Sequence, residues 1–373
     1  MFFHIADHPQ PNYPCHWHMG SFCVSTDQGW QLAQVGTAQV LFKGYADAAE
    51  VSDMLMEIVL QSTPHMLGNF CALVVVDGTL TIQTDRYRSF PIYITDHSIN
   101  NLIATDRTAW TDSLITVHSD LAVTENKFDL IGQAQLPAST TDQIDRLLAD
   151  KVQAFLRNNR RPLRVFLSGG IDTLLLYSYI RRFDADHELI WNLHVDLDEF
   201  YLANSVDITH YWGYRQIHHW QDACVLASGA PGDEFTLRSP TTANQYLLAR
   251  GTSIPEQLPL HSGCLHYAYF TKHLELFQNQ QPATEQQLCN TVVNDWQHWH
   301  LGNTLTWTPF RDLELFQLFL ALPYRQALGQ IMNSDVSREL IERNVPGLTS
   351  VLSDQKNTGN AMRNLRGLLK TQY

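Results

Sequence analysis

Two hydrophobic patterns divide the chain. In the first part, Phe70 to Val76 and Thr79 to Gln83 are runs rich in β-branched and apolar residues, joined by Asp77-Gly78. An Asp-Gly pair between two such runs predicts a hairpin, because both residues tolerate positive φ. A strand over Ala38 to Phe42 and a helix from Ala46 to Gln61 are also predicted. The first part is therefore expected to be antiparallel and rich in β-structure.

The second part begins after a short segment of Pro and small polar residues, Leu136 to Ser139. We interpret this segment as a linker between a domain of residues 1–136 and a domain of residues 140–373. Thr140-x-x-Gln143 is a capping-box pattern, and the residues after it predict an amphipathic helix. Strands and helices then alternate, as in a doubly wound parallel sheet. The predicted strands are Leu163 to Leu167, Ile190 to Val195 and Ala223 to Ala227, with a helix from about Glu199 to Trp212.

The first of these strands ends in a stretch that suits a phosphate. Leu167 is followed by Ser168, Gly169, Gly170, Ile171, Asp172 and Thr173. A strand, a glycine turn and a helix direct several backbone N–H groups and the positive end of a helix dipole at one point. Asp172 can hold the Mg²⁺ that accompanies polyphosphates. The alternative is a plain turn, and the Lys of a Walker loop is absent.

Composition narrows the class of protein. The chain has 373 residues, 44% of them hydrophobic, and a formal net charge of −13. The electric field of a protein with this negative net charge repels nucleic acid and anionic membranes. Arg157, Arg160, Arg161 and Arg164 nevertheless form a local basic cluster. The six cysteines lack paired spacing, no apolar run approaches the ~20 residues of a membrane span, and the start does not resemble a signal peptide. We therefore expect reduced thiols and a cytoplasmic location. The first 40 residues are rich in His and Cys, but these residues lack the spacing of zinc ligands.

Two segments of the second part resemble the asparagine synthetase family. Ser168-Gly-Gly-Ile-Asp172-Thr173 resembles the pyrophosphate loop of ATP pyrophosphatases, and Ser228-Gly-Ala-Pro-Gly-Asp233-Glu234-Phe235 resembles the family's S-G-E-G-A/S-D-E-x-F segment. Ala230 stands where the family has a catalytic Glu. Near the end of the chain, Gln355-Lys356-Asn-Thr-Gly359 resembles the family's closing segment.

The first part resembles the amidotransferase domain of the same family. Gly68-Asn-Phe-Cys-Ala72 and Asp85-Arg-Tyr-Arg-Ser-Phe-Pro-Ile-Tyr93 are similar to its G-x-F-A and D-R-x-G-x-x-P-L-Y-Y signatures. The family's glutaminase uses Cys as its second residue, whereas this chain begins Met1-Phe2-Phe3. The resemblance is thus to domains that keep the fold without the glutaminase, as in β-lactam synthetases.

The resemblance implies the fold and the reaction. The expected fold is an α+β N-terminal Ntn-type αββα sandwich, followed by an α/β doubly wound, adenine nucleotide α-hydrolase-like domain with a helical C-terminal part. The implied reaction is ATP-dependent adenylation of a carboxylate, with release of pyrophosphate, and transfer to ammonia or an amine. The carboxylate and the amine would belong to a small molecule or a peptide. Neither nucleic acid nor a membrane is an expected partner, and a homodimer is one possible oligomeric state.

The resemblance also implies residue roles. ATP and Mg²⁺ are the expected cofactors, with Asp172 and Asp233 as metal ligands and Lys356 as the catalytic cation. The expected nucleotide contacts are Leu167, Ser168, Gly169, Gly170, Ile171, Asp172, Thr173, Val195, Ser228 and Gly229. For Asp233-Glu234 the alternative is a solvated acidic turn.

Two other functions remain open at this stage. Some pyrophosphate-loop enzymes adenylate bases in tRNA, and the basic cluster near Arg160 agrees with that activity. A nucleotide-binding or scaffold protein without catalysis would agree with Ala230 and with the missing N-terminal Cys.

Overall fold

The computed structural model describes residues 3–46, 55–56, 58–59, 68–84, 92–95, 98–100, 108–110, 114–117, 123–125, 138–167, 170–191, 224–229, 232–278, 280–284 and 305–351. Within them the protein is mixed α and β: two antiparallel sheets, a small parallel sheet with helices, and a helical C-terminal part.

The described strands are β1 (Phe3–Ala6), β2 (Cys15–Met19), β3 (Phe22–Thr26), β4 (Gln31–Val35), β5 (Ala38–Ala46), β6 (Gly68–Val76), β7 (Thr79–Thr84), β8 (Ile92–Thr95), β9 (Ser98–Asn100), β10 (Thr108–Trp110), β11 (Leu114–Val117), β12 (Val123–Glu125), β13 (Leu163–Leu167), β14 (Glu188–Trp191), β15 (Val225–Ala227) and β16 (Leu305–Trp307).

The described helices are α1 (Thr141–Asn158), α2 (Ile171–Arg182), α3 (Gly232–Phe235), α4 (Pro240–Leu248), α5 (Ile254–Gln257), α6 (Tyr267–Lys272), α7 (Leu274–Phe277), α8 (Leu313–Leu320), α9 (Tyr324–Asn333) and α10 (Asp335–Asn344), with 3₁₀ turns at Leu258–Leu260 and Leu348–Val351.

The two antiparallel sheets face each other across an apolar layer. One sheet has the strand order β10-β8-β9-β1-β3-β2, and the other has the order β12-β11-β7-β6-β5-β4. Phe3 and Val24 of the first sheet share a buried cluster with Leu73 and Ile82 of the second. The far side of the second sheet carries another apolar cluster, which includes Ile58.

The two faces of strand β6 explain why its sequence is a nearly continuous apolar run. Cys71, Leu73 and Val75 contribute to the layer between the sheets. Phe70, Ala72 and Val74 contribute to the cluster on the opposite face. A central strand covered on both faces has no solvent-facing positions, so the alternation of polar and apolar residues disappears.

The predicted hairpin is confirmed. Strands β6 and β7 pair antiparallel, and Asp77 (φ 50°) and Gly78 (φ 79°) form the turn between them. The strand predicted over Ala38 to Phe42 is also present, but it continues to Ala46. The predicted helix start at Ala46 is therefore wrong, because the chain stays paired with β6 up to Gly68. Leu55, Met56, Ile58 and Val59 are helical.

The parallel sheet has the strand order β14-β13-β15-β16, and all its pairs are parallel. The strand predicted over Ile190 to Val195 begins at Glu188 and is described as far as Trp191, and residues 192–195 lie outside the described residues. The strand predicted over Ala223 to Ala227 is described from Val225. The helix predicted from Glu199 to Trp212 lies outside the described residues. A buried cluster drawn from residues 144–348 packs the helices on this sheet.

The capping box ahead of α1 is confirmed. The Thr140 hydroxyl accepts from the Gln143 backbone, and the Gln143 side chain accepts from the Thr140 backbone. Just before it, the Ser139 backbone N–H donates to the Ala321 carbonyl at 3.0 Å. The end of the predicted linker is thus bonded to the end of α8.

Two further observations concern the described residues alone. None of the described helices is both long enough and apolar enough to cross a membrane. Each described cysteine is a free thiol: Cys15, Cys23, Cys71, Cys224 and Cys264.

Candidate functional site

The strand order of the parallel sheet locates the candidate site. From β13 the chain moves to β14 on one side and then to β15 on the other side. This reversal is a topological switch point, and in sheets of this kind a ligand crevice lies at the carboxyl ends of the adjoining strands, here β13 and β15. The loop after β13 leads into Gly170 and Asp172, and the loop after β15 begins with Ser228 and Gly229. The two segments singled out in the sequence therefore meet at this crevice.

The two loops approach so closely that only glycine fits at two positions. A Cβ atom at Gly229 would lie 2.5 Å from the Thr173 backbone nitrogen and 2.7 Å from the Asp172 carbonyl carbon. A Cβ atom at Gly232 would lie 2.5 Å from the Asp172 carboxyl carbon. Because Asp172 and Thr173 form the first turn of α2, this contact joins the second loop directly to the helix N-terminus.

Helix α2 begins without a side-chain cap. Gly170 is the N-cap residue, with φ −78° and ψ 161°, and it makes no side-chain cap hydrogen bond. A helix N-terminus carries partial positive charge and favours an anion. The Thr173 hydroxyl donates to the Gly170 carbonyl at 2.9 Å, and this hydrogen bond stabilises the first turn of the helix.

Asp172 forms a buried ion pair that the sequence did not indicate. Its Oδ1 atom accepts from Arg238 Nη2, and the Arg238 residue is 6% exposed. The same guanidinium donates through Nε to the Thr236 hydroxyl at 3.0 Å. The carboxylate predicted to bind Mg²⁺ is therefore already neutralised by a protein cation.

A helix C-cap brings Arg238 to this position. The Arg238 backbone N–H donates to the Asp233 carbonyl at 2.8 Å, in the manner of a Schellman motif that ends α3. Leu237 takes the left-handed conformation, with φ 60°, at the position where glycine is usual. Its side chain is fully buried, so burial of the leucine offsets the backbone strain of about 1 to 2 kcal/mol.

Asp233 and Glu234 lie in the short helix α3 and are only partly exposed, which disagrees with the alternative of a solvated acidic turn. Burial, and then the nearby Asp233 carboxyl, which also bonds to Glu234, raise the pKa of Glu234 well above its usual range. Glu234 Oε2 is buried and has no hydrogen-bond partner. The charge of Asp172 contributes in the same direction, so the three carboxyls share one environment.

Helix α6 and the residue before it cover this carboxylate cluster. Burial, followed by the charges of Asp233 and Glu234, raises the pKa of Tyr269 to about 12. Burial, and then the cations Arg238 and Arg338, lower the pKa of His266 to about 4. His266 Nε2 lies 2.7 Å from the Ser334 hydroxyl. A neutral imidazole and a neutral phenol therefore face the acidic cluster.

The remaining predicted residues divide into those that the structure places and those that it does not describe. Leu167 and Ile171 are buried beside the loop after β13. The Ser228 backbone N–H donates to the Trp307 carbonyl at 2.9 Å, so this group is occupied by β16. Ser168, Gly169, Val195, Ala230 and Lys356 lie outside the described residues.

Asp172 and Asp233 are the described carboxylates that could hold a Mg²⁺ ion arriving with a polyphosphate, and Asp172 would have to share its carboxylate between the ion and Arg238. Protein sites for such ions usually supply one or two carboxylates, and phosphate and water oxygens supply the rest. Asp172 and Asp233 provide two carboxylates, and the unpartnered Glu234 oxygen lies in the same cluster. Across the part of the chain that the structure describes, no group of three His, Cys, Asp or Glu could hold a metal alone.

Sequence reasoning missed Arg238, Tyr269 and His266 as neighbours of the site. A basic residue three positions after a short helix is a weak signal, and the conformation of Leu237 has no sequence signature. A comparison with known protein families finds no match to this chain, and a comparison with curated proteins finds none either.

Proposed function

We propose that the chain is an ATP-dependent, AMP-forming carbon–nitrogen ligase of the asparagine synthetase-like type. The observation that carries this proposal is the contact of Gly229 and Gly232 with the first turn of α2. Two segments about 60 residues apart each resemble a nucleotide-site motif, and they meet at the switch point of a parallel sheet, where nucleotides bind in such folds.

The fold supports the proposal at a coarser level. Two stacked antiparallel sheets with helical residues on an outer face are compatible with an Ntn-type αββα sandwich. A parallel sheet with the order β14-β13-β15-β16 is compatible with an adenine nucleotide α-hydrolase-like domain. The buried clusters of residues 3–117 and 144–348 lie on either side of the predicted linker, which supports domains of residues 1–136 and 140–373.

In the proposed reaction a carboxylate attacks the α-phosphorus of ATP, pyrophosphate leaves, and an amine or ammonia displaces AMP. The backbone at the start of α2, together with Ser168 and Gly169, would hold the departing pyrophosphate. Asp172 and Asp233 would hold Mg²⁺, which neutralises charge on the phosphates. Lys356 would stabilise the negative charge that develops during transfer. The nitrogen would come from ammonia or a substrate amine.

The experiment is to incubate the purified protein with MgATP and candidate carboxylates and amines, and to measure AMP and pyrophosphate separately. Asp172→Asn is the site variant, since it keeps the shape of the side chain and removes its charge. Asp142→Asn is the control, since that carboxylate is exposed and pairs with Arg343. Equal formation of AMP and pyrophosphate, lost only in Asp172→Asn, supports the ligase. No release with any substrate pair, and no rise in melting temperature with MgATP, contradicts it.

A second candidate is a nucleotide-binding protein without turnover. The ion pair of Asp172 with Arg238 favours it, because a carboxylate held by a guanidinium is less available to a metal. Ala230 in place of the family Glu agrees with this candidate. Binding of MgATP without AMP formation would support it.

A further inference from the structure

A cavity lies at the end of the parallel sheet opposite to the candidate site. It has a volume of about 430 Å³, and it is lined by residues from the end of α1, the start of β13 and the segment after α2. Leu163 begins β13 and lines the cavity, whereas the loop that carries Gly170 follows the other end of that strand. Helix α2, with 12 residues and a length of about 18 Å, also runs from one place to the other. The cavity is therefore distinct from the switch point.

The cavity contains part of the basic cluster that stands out in the sequence. Arg157 and Arg161 line it. Arg164 is engaged elsewhere, because its Nε donates to Glu188 Oε2 at 2.8 Å. Burial lowers the pKa of Arg161, since the guanidinium loses part of its hydration. Two guanidiniums in one cavity favour a ligand with a carboxylate or a phosphate group.

The cavity also carries a negative charge and an apolar wall. Asp186 lines it, and neither Asp186 nor Arg157 has a side-chain hydrogen bond or ion pair among the described residues. Leu156 and Phe183 line it as well, and both pack against the buried core. Asp186 would repel a phosphate, whereas a zwitterion brings a carboxylate to the arginines and an ammonium to the aspartate. Apolar walls with a few charged groups are typical of small-molecule sites.

Hydrogen bonds hold the two loops that line the cavity. Between α1 and β13, the Arg161 backbone N–H donates to Asn159 Oδ1 at 3.1 Å, and Asn159 Nδ2 donates to the Arg161 carbonyl at 2.8 Å. After α2, the Ala185 backbone N–H donates to the Ile180 carbonyl at 3.3 Å, and Asp186 follows directly. The backbone of the lining is thus ordered before a ligand binds, which lowers the entropy cost of binding.

We propose that this cavity is a second binding site, and that it takes an α-amino acid with a large apolar side chain. The carboxylate of the ligand would bind Arg157 and Arg161, and its ammonium would bind Asp186. Its side chain would pack on Leu156 and Phe183. A volume of about 430 Å³ is within the range of small-molecule pockets and accommodates an aromatic amino acid. The inference does not depend on a nucleotide, because the cavity is separate from the switch point.

The test measures the dissociation constants of phenylalanine, N-acetylphenylalanine, 2-phenylethylamine and inorganic phosphate by isothermal titration calorimetry on the full chain. N-acetylphenylalanine lacks the ammonium, and 2-phenylethylamine lacks the carboxylate. Arg157→Gln and Asp186→Asn each remove one charge from the cavity at an exposed position, so both variants should fold. Arg146→Gln is the matched control on the same helix, and Asp184→Asn is the control in the same loop. Asn tolerates the φ of 48° found at Asp184.

We expect each cavity variant to weaken phenylalanine binding roughly tenfold or more, and both controls to leave it unchanged. The wild type should bind the acetylated compound and the amine at least as much more weakly. Asp172→Asn should leave the affinity for phenylalanine unchanged, because Asp172 lies at the other end of α2.

Phenylalanine binding that is lost in Asp172→Asn and kept in Arg157→Gln would place the ligand at the switch point and overturn the inference. No saturable binding of phenylalanine by the wild type would also overturn it. Phosphate binding that Asp186→Asn strengthens, without binding of phenylalanine, would overturn the amino-acid class. None of these outcomes changes the test of the ligase proposal, which measures AMP and pyrophosphate.

Discussion

Two buried ion pairs, one in each part of the chain, differ in how completely they are satisfied. In the β-rich part, Lys43 Nζ donates to both Asp27 oxygens at 2.9 and 3.0 Å and to the Gln28 carbonyl at 2.9 Å. These three bonds use every donor of the ammonium. At the switch point, Arg238 leaves Nη1 without a partner among the described residues.

The difference separates an ammonium whose donors are all used from a guanidinium that keeps donors without a partner among the described residues. Asp27 also accepts from Trp30 Nε1 at 3.0 Å, so the Lys43 site is closed on itself. The Arg238 site contains three carboxyls, one of them with an unpartnered oxygen, around one guanidinium. When every donor of a buried ion pair is already hydrogen-bonded, another ion can only displace one of these bonds. A pair with an unused donor can form a further bond to an ion of suitable charge.

The largest effect is expected when the closed pair is broken. Lys43→Met leaves the Asp27 carboxylate buried without its cation, and the free energy of unfolding should fall by about 3 to 5 kcal/mol. Urea denaturation followed by circular dichroism measures the change. Arg343→Met is the control, since its pair with Asp142 is exposed and should cost less than about 1 kcal/mol. Equal losses in both variants would contradict the comparison.

The open pair depends on the close contact of two loops, and Gly229→Ala tests that contact. The added methyl group would overlap the backbone of Asp172 and Thr173, which cannot rotate away. We expect a loss of about 3 kcal/mol in the free energy of unfolding, together with loss of nucleotide binding. Gly263→Ala is the control, because nothing lies within 4 Å of the new atom. A tolerated Gly229→Ala would show that the loops are further apart in solution.

Acid should weaken the region of the open pair through His266. The pKa of His266 is lowered to about 4, from 6.5, so the folded state holds the neutral imidazole. Its stabilising contribution is complete above about pH 6.5 and is lost as the pH falls through about 4. Between pH 7 and pH 4, wild-type stability should fall by about 2 kcal/mol more than that of His266→Gln. Parallel pH profiles of chemical denaturation would refute this assignment.

The smallest effect concerns one donor of the closed pair. Trp30→Phe keeps the aromatic contact with Phe3, whose ring centroid lies 5.9 Å away, and removes only the bond from Nε1 to Asp27. A bond to a charged group suggests a loss of about 1.5 kcal/mol. Thermal and urea unfolding measure it. An unchanged stability would mean that Asp27 is already satisfied by Lys43.

Local signals account for the elements that were predicted correctly. The Asp77-Gly78 turn, the Thr140 capping box and strand β13 each depend on residues close together in sequence. The wrong helix start at Ala46 arose because pairing with β6 extends the strand, and such pairing partners are distant in sequence. The solvated-turn alternative for Glu234 failed for a related reason, since the burial of its Oε2 atom depends on the tertiary fold rather than on its neighbours in sequence.

The sequence by itself determined the two glycine-containing loops, the apolar runs that become β6 and β13, and the expectation that ligands gather at the carboxyl ends of parallel strands. These features follow from backbone conformation and hydrophobic periodicity, which act over a few residues. Only the tertiary structure decided that Arg238 neutralises Asp172, that Glu234 is buried beside Asp233, and that Lys43 lies inside a closed cage. Charges interact through space, so their partners depend on which distant segments the fold brings together.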